Sequence, residues 1–333
     1  IPVTEIRYDV LAIGNAIVDV IAEADDAFIN SEGLIKGGMQ LIDAERAETL
    51  YGAMGPGREI SGGSAANSMA GLARLGQRAA FVGQVADDQL GEVFTHDIRA
   101  GGIDFDVAAR TEEPPTARCL ILVTPDGQRT MNTFLGAAQF LPESAIDKDK
   151  IEAAAWLYLE GYLWNAPESR AAMTGAIALA KNAGRKVALT LSDAFVVEGH
   201  RDEFFELIDN GSIDLLFAND TEVRSMMQTD DIDVAAKALA ARVPTLICTH
   251  GANGAEAFDR GEYARVPAEP VEAVVDTTGA GDLFAAGVFA GIAQGRPMAE
   301  CLTMGAVCAA EIISHYGARP EADIAALVKA RLG

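Results

Sequence analysis

The chain has 333 residues, half of them hydrophobic, so it is long enough to bury a substantial core as one large α/β domain or two smaller ones. It has 26 Lys and Arg against 49 Asp and Glu, and the formal net charge is −23. This charge repels nucleic acid phosphates and anionic membrane surfaces over most of the molecule, which argues against a nucleic acid or membrane partner.

The cysteines and the N-terminal segment point to a cytoplasmic protein. The first 26 residues contain six acids and no basic segment before an apolar core, so we expect no signal peptide. No stretch approaches about 18 uninterrupted apolar residues. The four cysteines lack CxxC spacing, so neither a zinc site nor a disulfide framework is indicated. We expect buried free thiols at Cys119, Cys248, Cys301 and Cys308.

The N-terminal third begins with two apolar segments, 8–14 and 17–22, that are typical of strands. Asp19 interrupts the second one. On an alternating strand this acid either faces solvent or points into a cleft to hold a polar ligand. A helix is predicted over 43–54, closed by Pro56 and Gly57.

The segment 61–76 combines paired glycines with a helical apolar stripe. Gly62 and Gly63 permit close backbone approach, Ser64 is a candidate helix cap, and Asn67 falls on the first turn. By itself the pattern indicates a capped helix packed closely on a sheet. A strand over 79–85 and a helix over 88–100 follow.

An antiparallel hairpin is predicted next, with strands 117–124 and 128–134 around the turn Pro125, Asp126 and Gly127. A hairpin inside a βα chain suggests a small appended sheet. Arg129 on this hairpin is a candidate cation for phosphate charge.

From residue 151 onward strands and helices alternate, as in a parallel sheet. The predicted strands are 156–161, 186–191, 214–219 and 243–249, and the predicted helices are 167–181, 201–208, 298–315 and 321–332. Asn219 or Asp220 with Glu222 is ordinary helix-capping chemistry. A second hairpin turn is expected at 259–261.

The segment 274–287 passes from a short apolar strand signal through Gly279, Ala280 and Gly281 into a helix. The first backbone N–H groups of a helix lack intrahelical acceptors, and small residues leave them accessible to an anion such as a phosphoryl group. Asp282 falls in the first turn. It is either a carboxylate favoured by the helix dipole or a base for an attacking hydroxyl.

The run DTTGAGDLFAAG resembles the C-terminal signature of the PfkB carbohydrate and nucleoside kinases, the ribokinase-like family, and GGSAANS resembles its N-terminal GGxxxN signature. The resemblance extends over nearly the whole chain. It implies an α/β fold, a three-layer sandwich with a mainly parallel central sheet. A small β lid is expected from segments 15–42 and 104–135. Walker A, protein-kinase, HExxH and GxSxG patterns are absent.

The resemblance also implies roles for individual residues. Asp282 is the expected catalytic base, and Gly279, Ala280 and Gly281 form the anion hole. Sugar hydroxyls are expected at Asp19, Gly63 and Asn67. Glu222 in the NxxE motif organises water-bound Mg²⁺, Asp276 is a candidate K⁺ ligand, and ATP is the expected phosphoryl donor. The expected nucleotide-binding residues are Asn219, Thr249, Gly251 and Gly254; His250 between them is expected to be a surface histidine without a catalytic role.

Within the family the pattern is most similar to the adenosine kinases, through GNAIVDV, MQLID and FANDTE. That similarity implies transfer of the ATP γ-phosphoryl group to the 5′-hydroxyl of adenosine. The oligomeric state stays open between a monomer and a homodimer. Phe134, Tyr162 and Trp164 are candidates for stacking on the purine, with core packing as the alternative for each. Two other functions stay open: a kinase for ribose, fructose or 2-keto-3-deoxygluconate, and a non-catalytic ligand-binding regulator on the same fold.

Overall fold

A computed structural model describes residues 5–333, so the first four residues of the N-terminal segment lie outside the described part. The strands are β1 (Tyr8–Ile13), β2 (Ile17–Glu23), β3 (Met39–Leu41), β4 (Gly57–Gly62), β5 (Ala79–Val82), β6 (Ala117–Val123), β7 (Arg129–Phe134), β8 (Ala154–Glu160), β9 (Lys186–Thr190), β10 (Leu215–Asn219), β11 (Thr245–Thr249), β12 (Ala255–Asp259) and β13 (Glu262–Val266).

The α-helices are α1 (Asp26–Ser31), α2 (Ala44–Ala53), α3 (Ser64–Arg74), α4 (Gln89–Ala100), α5 (Lys148–Glu152), α6 (Pro167–Asn182), α7 (Ala194–Asp209), α8 (Asp220–Met227), α9 (Ile232–Ala240), α10 (Ala280–Ala293), α11 (Met298–Ile312) and α12 (Ile324–Leu332). Between residues 5 and 333, none of these helices has both the length and the apolar character needed to cross a membrane.

The larger sheet has eight strands in the order β13-β12-β11-β10-β9-β8-β1-β5. The strands from β11 to β5 are all parallel to their neighbours, and β12 and β13 add an antiparallel hairpin at one edge. The structure therefore confirms the mainly parallel central sheet, and it confirms the hairpin turn between Asp259 and Glu262.

Helices cover both faces of this sheet, which makes the three layers. Alternate residues of one strand belong to different cores: Val10 and Ala12 pack in the core with α3, α10 and α11, whereas Leu11 and Ile13 pack in the core with α6, α7 and α9. Strands buried on both faces are apolar at nearly every position. This explains why uninterrupted apolar segments predicted the strands correctly.

The smaller sheet has five strands in the order β3-β7-β6-β2-β4. Strands β6 and β7 form the predicted hairpin, with Cys119 opposite Thr133. The segments 15–42 and 104–135 contribute β2, β3, β6 and β7. The fifth strand, β4, pairs antiparallel with β2 and was not anticipated from the sequence.

Two helices begin elsewhere than predicted. Helix α7 starts at Ala194 instead of residue 201, because the Asp193 side chain accepts a hydrogen bond from Phe195 N and caps the helix. The backbone is non-helical at His200, and this kink explains why the sequence indicated only the second half. Helix α12 starts at Ile324 instead of residue 321, after its cap Asp323.

Candidate active site

A cavity of about 570 Å³ lies between the two sheets, at the carboxyl ends of the parallel strands. In open α/β sheets this edge is where ligands bind. The large sheet contributes residues at its strand ends to the lining, namely Glu160, Thr190, Asn219 and Thr249. The small sheet contributes the opposite wall, with Ile17, Asp19, Met39, Leu41, Cys119, Ile121, Met131 and Thr133.

The N-terminus of α10 opens into this cavity, and Gly279, Ala280, Gly281 and Asp282 all line it. Gly279 is the N-cap with φ +81°, and a Cβ there would lie 2.8 Å from the Ala318 Cβ, so the position favours glycine on both counts. The Ala280 N–H donates to the Thr277 carbonyl at 3.2 Å. The helix start can offer backbone donors and positive dipole character to an anion.

Asp282 connects the two signature motifs. Its Oδ1 accepts a hydrogen bond of 2.6 Å from Ser64 Oγ, and its Oδ2 accepts one of 3.1 Å from Asn67 Nδ2. Burial raises the pKa of Asp282 above the usual range of an aspartate, although both hydrogen bonds favour its ionised form. A carboxylate with a raised pKa is a stronger base for a hydroxyl proton.

The expected role of Ser64 as a helix cap is wrong. Gly63 is the N-cap of α3, with φ +98°, and the Ser64 hydroxyl turns toward Asp282. Gly63 cannot be replaced without strain, because a Cβ there would lie 2.1 Å from the Asn15 carbonyl oxygen. The paired glycines thus bring the start of α3 against the backbone after β1.

The three residues expected to hold sugar hydroxyls, Asp19, Gly63 and Asn67, all line the cavity. Burial raises the pKa of Asp19 to about 6, while the nearby guanidinium groups of Arg319 and Arg129 lower it. Asn67 is 5% exposed, and its Oδ1 has no hydrogen-bond partner. A buried acceptor without a donor costs free energy unless a ligand or water fills the place, so this atom is suited to a ligand hydroxyl.

Asp276 lies beside the cavity and is not part of its lining. Its carboxylate forms an ion pair with Arg129 of β7 and accepts hydrogen bonds from Thr278 N, Thr278 Oγ1 and Gly317 N. Backbone and hydroxyl donors and the guanidinium keep its pKa low despite burial. The guanidinium thus lies at the carboxylate that the sequence analysis singled out as a candidate K⁺ ligand.

Asn219 and Glu222 form a reciprocal capping box at the start of α8, as the capping interpretation predicted. Both residues and Thr249 also line the cavity. Glu222 is 4% exposed, and burial raises its pKa to about 7. Gly251 and Gly254 follow β11 in a short turn and are not part of the lining.

The aromatic candidates occupy different environments. Tyr162 lines the cavity, and its ring lies 6.0 Å from the ring of Phe195, which also lines it. Phe134 is 8% exposed and outside the lining. Trp164 packs on Phe204 in the core and donates its indole N–H to Glu203. Phe195 was not among the aromatic candidates, because the start of α7 was not predicted.

Two further charged residues near the cavity were missed. Glu160 is 1% exposed and accepts hydrogen bonds from Asn15 Nδ2 and Ala65 N, at 2.6 and 2.9 Å. Its position at the end of an apolar strand was an available signal. Arg319 donates to the carbonyls of Ser61 and Ala66, which joins the loop after α11 to β4 and α3. No local pattern marks Arg319.

The structure also corrects the prediction for His250. Its side chain is 8% exposed and lies between the carboxylates of Asp220 and Glu256, so it is not a surface histidine. A single residue after a strand contains no signal for this, because both partners come from other elements.

Comparisons with known proteins agree with this architecture. The family model described as pfkB family carbohydrate kinase matches residues 38–325. The structure of adenosine kinase from Sinorhizobium meliloti is 47% identical and superposes with a TM-score of 0.90, covering 98% of this chain and 99% of that chain.

Two relatives are described as sugar kinases. The structure of a probable sugar kinase from Rhizobium etli CFN 42 is 44% identical, with a TM-score of 0.90 and coverage of 98% of this chain and 99% of that one. Fructokinase from Klebsiella pneumoniae is 30% identical over 276 residues, which are 79% of this chain and 90% of the relative. The chain belongs to the pfkB family of carbohydrate kinases and is a phosphotransferase that acts on an alcohol group.

Proposed function

We propose that this chain transfers the γ-phosphoryl group of ATP to the 5′-hydroxyl of a ribonucleoside, with adenosine as the acceptor. The observation that carries the proposal is a set of exposed apolar side chains on the cavity wall. Met39, Leu41 and Phe195 are 48%, 59% and 44% exposed, and all three line the cavity. A purine base would cover this surface, whereas a free sugar presents hydroxyls in most directions.

The ribose would lie on the polar side of the same cavity. Asn67 Oδ1 is a free acceptor for a ribose hydroxyl, and the Asp19 carboxyl faces the same cavity. Gly63 has no side chain, so its backbone lines the cavity directly and a ribose hydroxyl can come close to it. The expectation that these three residues hold the sugar is therefore part of the proposal. Fixing the ribose in this way would present the 5′-hydroxyl to Asp282.

Asp282 accepts the proton of the attacking hydroxyl. Ser64 and Asn67 hold its carboxylate by one hydrogen bond to each oxygen, so it is oriented before the acceptor binds. The backbone of Gly279, Ala280 and Gly281 at the start of α10 stabilises negative charge on the phosphoryl oxygens. Asp282 is partly exposed to the cavity, so a bound acceptor would displace water from its oxygen atoms.

The nucleotide is assigned to the other side of the helix start, along Asn219 and Thr249, with Gly251 and Gly254 in the adjoining turn. Glu222 fits the expected role in holding water-bound Mg²⁺, because its buried carboxylate faces the cavity at the start of α8. The metal ion would neutralise phosphate charge in a chain with a net charge of −23. The cytoplasmic location and the monomeric or dimeric state stay predictions.

A sugar kinase is the second candidate. The similarity to a probable sugar kinase and to a fructokinase favours it, and so does the polar part of the cavity. Asn165 and Asp193 also line that part and carry polar side chains beyond those assigned to the ribose.

The test is the rate of ATP-dependent phosphorylation, with Mg²⁺ present, across adenosine, inosine, guanosine, cytidine, ribose, fructose and 2-keto-3-deoxygluconate. We expect the highest kcat/KM for adenosine, with the product phosphorylated at the 5′ position by NMR. A higher kcat/KM for a free sugar would replace the proposal with the second candidate. Absence of turnover with every acceptor, combined with tight binding of one of them, would favour a non-catalytic regulator.

The matched control is Asp282→Asn, which keeps the size of the side chain and can still accept from Ser64. It should bind adenosine normally and lose roughly 10²–10⁴-fold in kcat, the usual contribution of a general base. A variant with near-normal turnover would remove Asp282 from the proposed mechanism.

A further inference from the structure

Three metal-ligating side chains from two elements meet next to the cavity. Asp220 is the first residue of α8, Cys248 lies on β11, and His250 directly follows β11. One ligand atom of each residue lies within 4.8 Å of those of the other two. The Cys248 Sγ is 4.0 Å from Asp220 Oδ1, and His250 Nδ1 hydrogen-bonds to the same carboxylate oxygen.

The histidine at the centre of this cluster is held from both sides. Its side chain is 8% exposed, and its second nitrogen, Nε2, faces Glu256 Oε1 at 3.2 Å. No hydrogen bond of normal geometry satisfies that nitrogen. Glu256 is itself 6% exposed. A histidine that binds a metal through one nitrogen usually presents the other to a carboxylate, and Glu256 supplies one.

An ordinary histidine–aspartate ion pair accounts for only part of this arrangement. Such a pair explains the contact at His250 Nδ1. It does not explain why the Cys248 sulfur lies beside the same carboxylate, or why two acids flank one imidazole. Buried charges are normally paired or bound to a metal. Tyr263 donates a hydrogen bond of 2.8 Å to Glu256, and the guanidinium of Arg224 acts on Cys248 from nearby. The imidazole still lies between two carboxylates with a thiol beside it, and a cation would complete this set of ligands.

We propose that Asp220, Cys248 and His250 bind one divalent transition metal ion of the zinc class, with Glu256 positioning His250. Sulfur, imidazole nitrogen and carboxylate oxygen are the ligands that zinc prefers, whereas Mg²⁺ prefers oxygen ligands alone. Ligand atoms around a tetrahedral zinc ion are roughly 3.3–3.8 Å apart, given bonds of about 2.0–2.3 Å. The observed cluster needs only small side-chain shifts to reach that spacing.

The site is accessible and adjoins the cavity. The Asp220 side chain is 30% exposed, so an ion and a water molecule can reach it from solvent. The residue before Asp220 and the residue after Cys248, Asn219 and Thr249, both line the cavity. A bound ion would therefore tie the start of α8 to the end of β11, at the wall assigned above to the nucleotide. This site is separate from the magnesium role of Glu222.

The experiment uses Co²⁺ as a spectroscopic probe on the full chain, freed of metal by a chelator and without ATP or acceptor. Its result is thus independent of the proposed kinase activity. We expect one equivalent of Co²⁺ to produce visible ligand-field bands and a near-ultraviolet thiolate-to-cobalt band, and Zn²⁺ to abolish both by competition. Absence of these bands in the wild-type protein overturns the proposal.

The variants assign the signal to the cluster. Cys248→Ala should lose the thiolate band and bind Co²⁺ at least tenfold more weakly, whereas Cys308→Ala, the same change at another buried cysteine, should keep both. Glu256→Gln should keep the band and weaken binding about tenfold. A thiolate band that persists in Cys248→Ala overturns the proposal. If that variant does not fold, His250→Gln replaces it, and unchanged affinity there is equally contrary.

Discussion

The guanidinium of Arg129 lies against the carboxylate of Asp276, and this ion pair links the small sheet to the segment that leads into α10. Both side chains are 7% exposed. The same carboxylate accepts from Thr278 N and from Gly317 N, so one residue connects the small sheet, the start of the anion-binding turn and the loop after α11. The position of the small sheet over the cavity and the shape of the turn are therefore coupled.

Arg129→Ala should be strongly destabilising. Removing one partner of a buried pair typically costs about 3–5 kcal/mol in the free energy of unfolding, and the hydrogen bonds that Asp276 accepts from Thr278 and Gly317 place the loss at the lower end of that range. Urea denaturation measures this cost. Lys148→Ala is the control, because the Lys148 side chain is 65% exposed and its pair with Glu152 should contribute at most about 1 kcal/mol.

The double variant Arg129→Ala with Asp276→Asn should recover part of the loss, since it leaves no lone charge in the protein. A loss below about 1 kcal/mol in Arg129→Ala alone would show that the pair is open to water in solution.

Ser64→Ala should shift the pH dependence of catalysis. The Ser64 hydroxyl donates to the ionised form of Asp282, whose pKa is already raised by burial. Loss of that hydrogen bond raises the pKa of Asp282 further. The rate falls when the base is protonated, so the acidic limb of kcat/KM should move to higher pH by roughly one unit, as expected for a hydrogen bond of about 1.5 kcal/mol.

Ser169→Ala is the matched control for this profile. Ser169 is fully buried, its hydroxyl donates to the Gln139 carbonyl, and it does not line the cavity. The acidic limb of kcat/KM in Ser169→Ala should coincide with that of the wild-type protein. An unshifted limb in Ser64→Ala would mean that a group other than Asp282 governs the profile.

Glu160 should make stability fall as pH rises. Burial raises its pKa in the folded state to about 7, above its usual value of 4.5. The folded state therefore binds the proton more tightly than the unfolded state. The stabilising contribution is complete below pH 4.5 and is lost as pH rises through 7, a change of about 3 kcal/mol.

Glu160→Gln has no such titration, so its free energy of unfolding should rise relative to wild type by about that amount between pH 4.5 and 7.5. Urea denaturation at several pH values measures the difference. Glu48→Gln, at an exposed position, should follow the wild-type curve. Parallel curves for wild type and Glu160→Gln would be inconsistent with a proton bound at Glu160.

Phe195→Ala should weaken the binding of adenosine but not that of ribose. Stacking of a base on an aromatic ring contributes roughly 1–3 kcal/mol, so KM for adenosine should rise about 10- to 100-fold while KM for ribose changes little. Phe134→Leu, a change outside the cavity, should leave both values within about twofold of wild type. If Phe195→Ala raised KM equally for both acceptors, the purine base would not lie against this wall.

Much of the fold could be predicted because its signals are local. Apolar segments of strand length, helix caps and turn glycines identified the parallel sheet and both hairpins. Strand β4 escaped because Gly57–Gly62 has too few apolar residues to mark a strand, and its pairing with β2 depends on a distant segment. The start of α7 escaped because the kink at His200 interrupts its periodicity.

In the candidate site, too, local features could be predicted and contacts between distant residues could not. The sequence by itself determined the helix start at Gly279, because an apolar segment followed by small residues and then a helical segment is a local pattern. It also marked Asp282 and Asn67 by their motifs. Only the tertiary structure decided that Ser64 donates to Asp282 across 218 residues, that Arg129 pairs with Asp276 across 147, and that His250 is buried between two acids. Backbone preferences depend on neighbouring residues, whereas contacts between distant side chains depend on how whole elements pack.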